Sequence, residues 1–261
     1  LSGSVDDDKV TWYENDGEEN FTAHIIATDV NQAHSVFAAD VDGDDHMDVL
    51  AVARLGHKII WFENDGEQNF TEHVISEDVD SPRKVYATDL DEDGDMDVLS
   101  ASYNDDKIAW YENDGSQNFT AYTISNELDG AQNVYVADVD GDSDLDVLAA
   151  SYNDDRIAWH ENDGDENFTT HLISTDMDGA RIAFPADIDG DGDVDVLSSS
   201  SHDDKVAWYE NDGEENFSMN PVTQTPDANG PYGVFAADLD GDGDMDVCSA
   251  SHFDDKIVWY E

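Results

Sequence analysis

Six tryptophans, Trp12, Trp61, Trp110, Trp159, Trp208 and Trp259, stand 49, 49, 49, 49 and 51 residues apart. A chain that repeats at such an interval folds one small unit several times and stacks the copies, because a single unit cannot bury its own apolar face. The text around the tryptophans recurs as KVTWYENDGEENF, KIIWFENDGEQNF, KIAWYENDGSQNF, RIAWHENDGDENF and KVAWYENDGEENF. A second block recurs between them: VFAADVDGDDHMDVL, VYATDLDEDGDMDVL, VYVADVDGDSDLDVL, IAFPADIDGDGDVDVL and VFAADLDGDGDMDVC. Repetition covers almost the whole chain.

Each repeat divides into four short strands. The first reads VFAAD, as at 36–40, the second DVLSAS (97–102), the third KIAWYE (107–112) and the fourth FTEHVIS (70–76). β-Branched and aromatic residues fill these runs, while Asp, Asn and Gly separate them. Asn64-Asp65-Gly66 is a turn signal between the third and fourth strands. In the third strand Ile59 and Trp61 point one way, and Ile60 and Phe62 the other. Both faces are apolar, as expected of a sheet packed between neighbours. No helical period competes. Four-stranded units of this length predict an all-β fold, a β-propeller, with residues 1–261 as a single domain.

The first, second and fourth strands occur five times and the third six times. We therefore expect a five-bladed ring, closed by N-terminal strands that complete a blade begun at the C-terminus. One third strand is left over: it is displaced, or it pairs with a neighbouring molecule in self-association, or the chain is part of a larger array. The chain begins at Leu1 rather than Met, as expected of a mature or excised segment.

The loop between the first and second strands carries the most specific chemistry. It reads DVDGDDHMD at 40–48, DLDEDGDMD at 89–97, DVDGDSDLD at 138–146, DIDGDGDVD at 187–195 and DLDGDGDMD at 238–246. Positions 1, 3, 5 and 9 are always aspartate: Asp40, Asp42, Asp44 and Asp48; Asp89, Asp91, Asp93 and Asp97; Asp138, Asp140, Asp142 and Asp146; Asp187, Asp189, Asp191 and Asp195; Asp238, Asp240, Asp242 and Asp246. This alternation wraps a short loop around one hard cation. Position 7, His46, Asp95, Asp144, Asp193 or Asp244, is expected to add its backbone carbonyl. So many carboxylates within nine residues repel one another unless a cation intervenes. Crowded oxygens suit Ca2+ better than Mg2+, and no Cys or His cluster points to zinc. We expect about one Ca2+ per blade, five in all.

These loops closely resemble those of the FG-GAP-like or VCBS repeat family, whose hallmark is an acidic D-x-D-G-D-G-D-x-D loop between blade strands. Glu92 replaces glycine in the second loop, and Asp45 with His46 replaces Gly-Asp in the first. The resemblance implies a calcium-binding propeller from an extracellular or cell-surface protein: an integrin-like head, a lectin, an adhesin or an accessory part of a polysaccharide-degrading enzyme.

Charge narrows the partners. The 261 residues hold 65 Asp and Glu against 10 Lys and Arg, a formal charge of −55. Nucleic acid is excluded as a partner because phosphate binding needs basic clusters. Anionic membrane surfaces are excluded likewise, and no apolar run is long enough for membrane insertion. Cys248 is alone and forms no disulfide within the chain.

The loops at the opposite strand ends offer a second kind of site. Tyr103 and Asn104, Tyr152 and Asn153, His202 and His252 are candidates for stacking and hydrogen bonding to a sugar. The same residues would also serve simply to close turns. Arg83, Arg181 and Tyr232, the last in the loop 226–233, break the repeat and mark a further candidate partner site. Asn20, Asn69, Asn118, Asn167 and Asn216 begin Asn-Phe-Thr/Ser sequons, which the hairpin itself explains. His24, His73 and His171 recur at one strand position and are expected to be structural. Because nearly every polar residue is repeated, we expect no enzyme but a binding module for carbohydrate or an extracellular protein. The alternatives are a structural or docking segment of a larger secreted protein or fibre and, least favoured, a catalytic propeller.

Overall fold

The computed structural model describes residues 1–223 and 228–261, and every element among them is a β-strand or a turn. The residues cluster into two compact units, Leu1–Glu127 and Leu128–Glu261. In the first unit, β1 (Ser2–Gly3), β2 (Val10–Asn15) and β3 (Phe21–Ala27) form one sheet. A second contains β4 (Ala33–Ala39), β5 (Asp48–Ala53), β6 (Lys58–Asn64) and β7 (Phe70–Ser76). The third contains β8 (Pro82–Thr88), β9 (Asp97–Ser102), β10 (Lys107–Asn113) and β11 (Phe119–Ser125).

The second unit repeats the plan. Its first sheet is β12 (Ala131–Ala137), β13 (Asp146–Ser151), β14 (Arg156–Asn162) and β15 (Phe168–Ser174). Its second is β16 (Ala180–Ala186), β17 (Asp195–Ser200), β18 (Lys205–Asn211) and β19 (Phe217–Pro221). Its third is β20 (Pro231–Ala237), β21 (Asp246–Ser251) and β22 (Lys256–Tyr260). All neighbouring strands are antiparallel and consecutive in the sequence.

This corrects the expected blade count. Among the described residues there are six sheets of three or four strands, not five with a shared closing blade. The six copies of the third strand give the number of sheets, so the supposed spare copy is the third strand of its own blade. At the N-terminus, Ser2 and Gly3 pair with Thr11 and Val10, taking the edge of β2 that a second strand occupies elsewhere. Gly3 is needed there, because a Cβ would lie 2.9 Å from the carbonyl oxygen of Ala33.

Alternation along the third strand builds the core as expected. Ile59 and Trp61 pack into a cluster with Leu50, Val85, Val98 and Tyr111, whereas Ile60 and Phe62 join Val10, Val30, Val49 and Ala51 on the other face. The sheet β4–β7 is thus buried on both sides, and Trp61, Trp110 and Trp159 are almost inaccessible. Burial of such side chains stabilises each blade by about 1.5–3 kcal/mol per residue. The strand histidines have the structural role foreseen for them. His24, His73 and His171 stack on Trp12, Trp61 and Trp159 at 4.4–4.6 Å and pair through Nε2 with Glu14, Glu63 and Glu161. Tyr122 takes the place over Trp110.

The Asn-Asp-Gly hairpins are longer than a two-residue turn. Asp65 Oδ1 accepts the amides of Glu67 and Asn69, Asp65 Oδ2 accepts Asn69 Nδ2, and Gly66 has φ +76°. Asn118, Asn167 and Asn216 tie to Asp114, Asp163 and Asp212 in the same way. The sequon asparagine is therefore a hairpin-closing residue.

Candidate metal centres

Each acidic loop runs from the end of an inner strand into the next strand, and backbone amides fold it. Asp40 Oδ1 accepts the amides of Gly43 and Asp44, and Oδ2 accepts that of Asp45. Asp138, Asp187 and Asp238 likewise accept two amides each, from positions 4 and 6 of their loops. Position 6 has positive φ throughout, from +69° at Asp45 to +102° at Gly243, which is why small residues recur there.

The ninth aspartate is the anchor. Asp48 is fully buried and accepts three hydrogen bonds: the Val41 amide at 3.1 Å, the Asn64 amide at 2.7 Å and Trp61 Nε1 at 2.9 Å. Asp97 accepts the amides of Leu90 and Asn113, Asp146 those of Val139 and Asn162, and Asp195 those of Ile188 and Asn211. The same asparagines reach sideways. Asn113 Nδ2 donates to the carbonyl of Val41 in the preceding acidic loop at 3.1 Å, and Asn211 Nδ2 does so to Val139. This second use of the loops and of the asparagine of Asn-Asp-Gly escaped the sequence reading. Its signal was there, in the recurrence of that asparagine at the end of every complete third strand.

Positions 1, 3 and 9 converge in all five loops. One carboxylate oxygen from each of Asp40, Asp42 and Asp48 lies within 4.8 Å of the others, and the same holds for Asp89, Asp91 and Asp97, for Asp138, Asp140 and Asp146, for Asp187, Asp189 and Asp195, and for Asp238, Asp240 and Asp246. The fifth positions are placed differently. Asp44, Asp93, Asp142, Asp191 and Asp242 accept the amide of position 7, fixing the turn. At position 7 the His46 ring and the carboxylates of Asp95, Asp144 and Asp193 sit against the hairpin glycines Gly66, Gly115, Gly164 and Gly213. Asp244 donates its amide to Asp242.

These clusters are electrostatically costly without a counter-charge. Burial pushes the Asp97 and Asp195 carboxyls up to about 6 and that of Asp146 up to about 7. Burial, reinforced by neighbouring carboxylates, also raises Asp42 and Asp140. Asp42 Oδ1 and Asp89 Oδ1 are buried with no hydrogen-bond partner. Three carboxylate ligands in each loop, with one orphaned oxygen on Asp42 in the first loop and one on Asp89 in the second, fit a hard cation held at about 2.3–2.6 Å.

The second set of candidates falls into two groups at the opposite strand ends. In the first unit, the Arg83 guanidinium carbon lies 4.7 Å from the Tyr103 ring centre, and Asn104 Nδ2 donates to Asp80. In the second unit, Arg181 lies between Tyr152 and Tyr232, Asn153 donates to Asp129, and His202 meets Tyr152 while His252 packs on Tyr232. Of the loop 226–233, residues 226 and 227 lie outside the described residues.

Residues 2–51, 50–100, 89–149, 138–198 and 187–249 each match the FG-GAP-like repeat, and the chain belongs to that family. No curated protein is significantly similar to it in sequence. Among solved structures, it is similar to a Lactobacillus plantarum protein with a TM-score of 0.68 at 14% identity, covering 98% of this chain and 75% of that one. A luciferin-regenerating enzyme gives a TM-score of 0.57 at 10% identity, covering 97% and 80%. The V. cholerae biofilm matrix protein Bap1 gives 0.54 at 18% identity, covering 87% of this chain and 36% of the longer one. These likenesses establish the fold, an all-β β-propeller of six blades. They also correct one expectation. The same architecture carries a named enzyme, so repetition of polar residues does not exclude catalysis.

Proposed function

We propose that this chain is a calcium-binding β-propeller of an extracellular or cell-surface protein that binds carbohydrate or another extracellular protein. The observation that carries the reading is the convergence of positions 1, 3 and 9 in every acidic loop, around buried carboxylates that lack a counter-charge. Asp40, Asp42 and Asp48 and their equivalents would hold the ion. Ca2+ would supply the charge that lets these carboxylates stay ionised inside a compact fold, and five ions would fill the loops.

The test is calcium stoichiometry by elemental analysis of dialysed protein, together with melting in calcium and in EDTA. The expected result is five ions per chain and a markedly lower melting temperature in chelator, because a ligand that binds only the folded state stabilises it. Protein that retains no calcium and melts identically in both buffers would defeat the reading.

A further inference from the structure

An unbroken strip of rings crosses the second unit at the strand ends opposite its acidic loops. The Phe253 ring centre lies 5.1 Å from that of His252, and His252 lies 5.4 Å from Tyr232. The Arg181 guanidinium carbon follows, 3.9 Å from the Tyr232 ring centre and 4.2 Å from that of Tyr152. Tyr152 then meets His202 edge-on at 4.9 Å, with its hydroxyl 2.6 Å from Nε2. Polar groups border the strip: His202 Nδ1 meets Asp178 Oδ1 at 2.9 Å, and Asn153 Nδ2 donates to Asp129 at 2.8 Å. Gly179, at φ +69°, leaves the room, since a Cβ there would lie 2.9 Å from His202 and 3.0 Å from Tyr152.

Three members of the strip, His202, Tyr232 and Phe253, depart from the repeat, while Tyr152 and Arg181 have counterparts in Tyr103 and Arg83. His202 and Phe253 stand where the earlier blades carry Leu55, Asn104 and Asn153, and Tyr232 stands where the other inner strands carry His34, Arg83, Gln132 and Arg181. What serves the fold recurs in every blade; this does not. Tyr232 is 42% and Phe253 63% exposed, so neither is explained by the core. Departures from an otherwise consistent pattern are expected at functional sites.

The chemistry selects the occupant. A cation has no slot between the tyrosines, because Arg181 already fills it. An anion meets the carboxylates of Asp129 and Asp178 on a chain of formal charge −55. A neutral sugar presents an apolar ring face to aromatic side chains and hydroxyl edges to polar groups, which is what this surface offers. We propose that the strip is a single subsite for a neutral oligosaccharide. This rests on the carbohydrate reading above, and it makes binding one-to-one rather than once per blade.

The test is titration calorimetry of the calcium-loaded chain with neutral gluco-, galacto- and manno-oligosaccharides and with an acidic oligosaccharide of uronic acids. It compares the wild type with Tyr232→Ala, Phe253→Ala and the exposed strand control Leu172→Ala, each checked by its melting temperature. The proposal expects one oligosaccharide per chain, binding about tenfold weaker or worse in the first two variants and unchanged in the control. A stoichiometry of four or five, or full affinity in both Tyr232→Ala and Phe253→Ala, overturns the strip and leaves the carbohydrate reading standing. Binding of acidic glycans alone overturns the neutral class, and binding of no glycan at all overturns both.

Discussion

Trp61 Nε1 donates to Asp48 Oδ2 at 2.9 Å, so the ring that fills a blade core also holds the last carboxylate of an acidic loop. Replacing Trp61 with Phe keeps most of the packing and removes one of three donors from a buried carboxylate. The expected loss is about 1–2 kcal/mol by denaturant unfolding in calcium. A loss within error of zero would mean that the bond contributes nothing.

The raised carboxyls set a pH dependence with a definite sign. Asp97, Asp146 and Asp195 bind protons more tightly folded than unfolded, so in the ion-free protein their contribution is complete only below the ordinary carboxylate value of about 4. It is lost as pH rises through about 6 for Asp97 and Asp195 and about 7 for Asp146. Ion-free protein should therefore melt higher at pH 5 than at pH 8, and the gain on adding calcium should be larger at pH 8. Melting scans at both pH values, with and without calcium, check this; equal calcium gains would contradict it.

Glu92 occupies the left-handed region at φ +59°, where four of the five loops have glycine. Relief of that conformation is worth roughly 1–2 kcal/mol, and glycine gives back about 0.5–1 kcal/mol in chain entropy. Glu92→Gly should thus raise stability slightly, by up to about 1.5 kcal/mol. A destabilised variant would show that the Glu92 side chain does something the loop geometry does not reveal.

Gly179→Ala puts a methyl group against His202 and Tyr152 on a left-handed backbone. We expect a loss of at least about 1 kcal/mol and a displaced His202 resonance in NMR spectra. An unperturbed His202 signal would show that the loop absorbs the methyl group without moving the ring pair.

Strands and core were legible because period and alternation are local: Ile59 with Trp61 and Ile60 with Phe62 separate onto two faces as the pattern requires. The blade count was not. Whether a lone third strand starts a new sheet depends on which edge it pairs with, and Ser2–Gly3 gave no strand signal of its own. At the acidic loops the residue types were legible, but the division of labour was not. Asp44 and Asp48 look alike in the sequence, yet one caps a turn amide and the other is buried beneath a tryptophan. Only the path of the chain distinguishes them.

Asn113 gives neighbouring loops a shared mechanical element. Its backbone amide is held by Asp97, while its side chain grips the carbonyl of Val41, whose own amide is held by Asp48. Two carboxylates in successive blades are thereby yoked through two residues, Asn113 and Val41. Were the proposed ions bound, loss of one beside Asp97 would slacken the grip on the loop before it, and the two sites would empty as a linked pair.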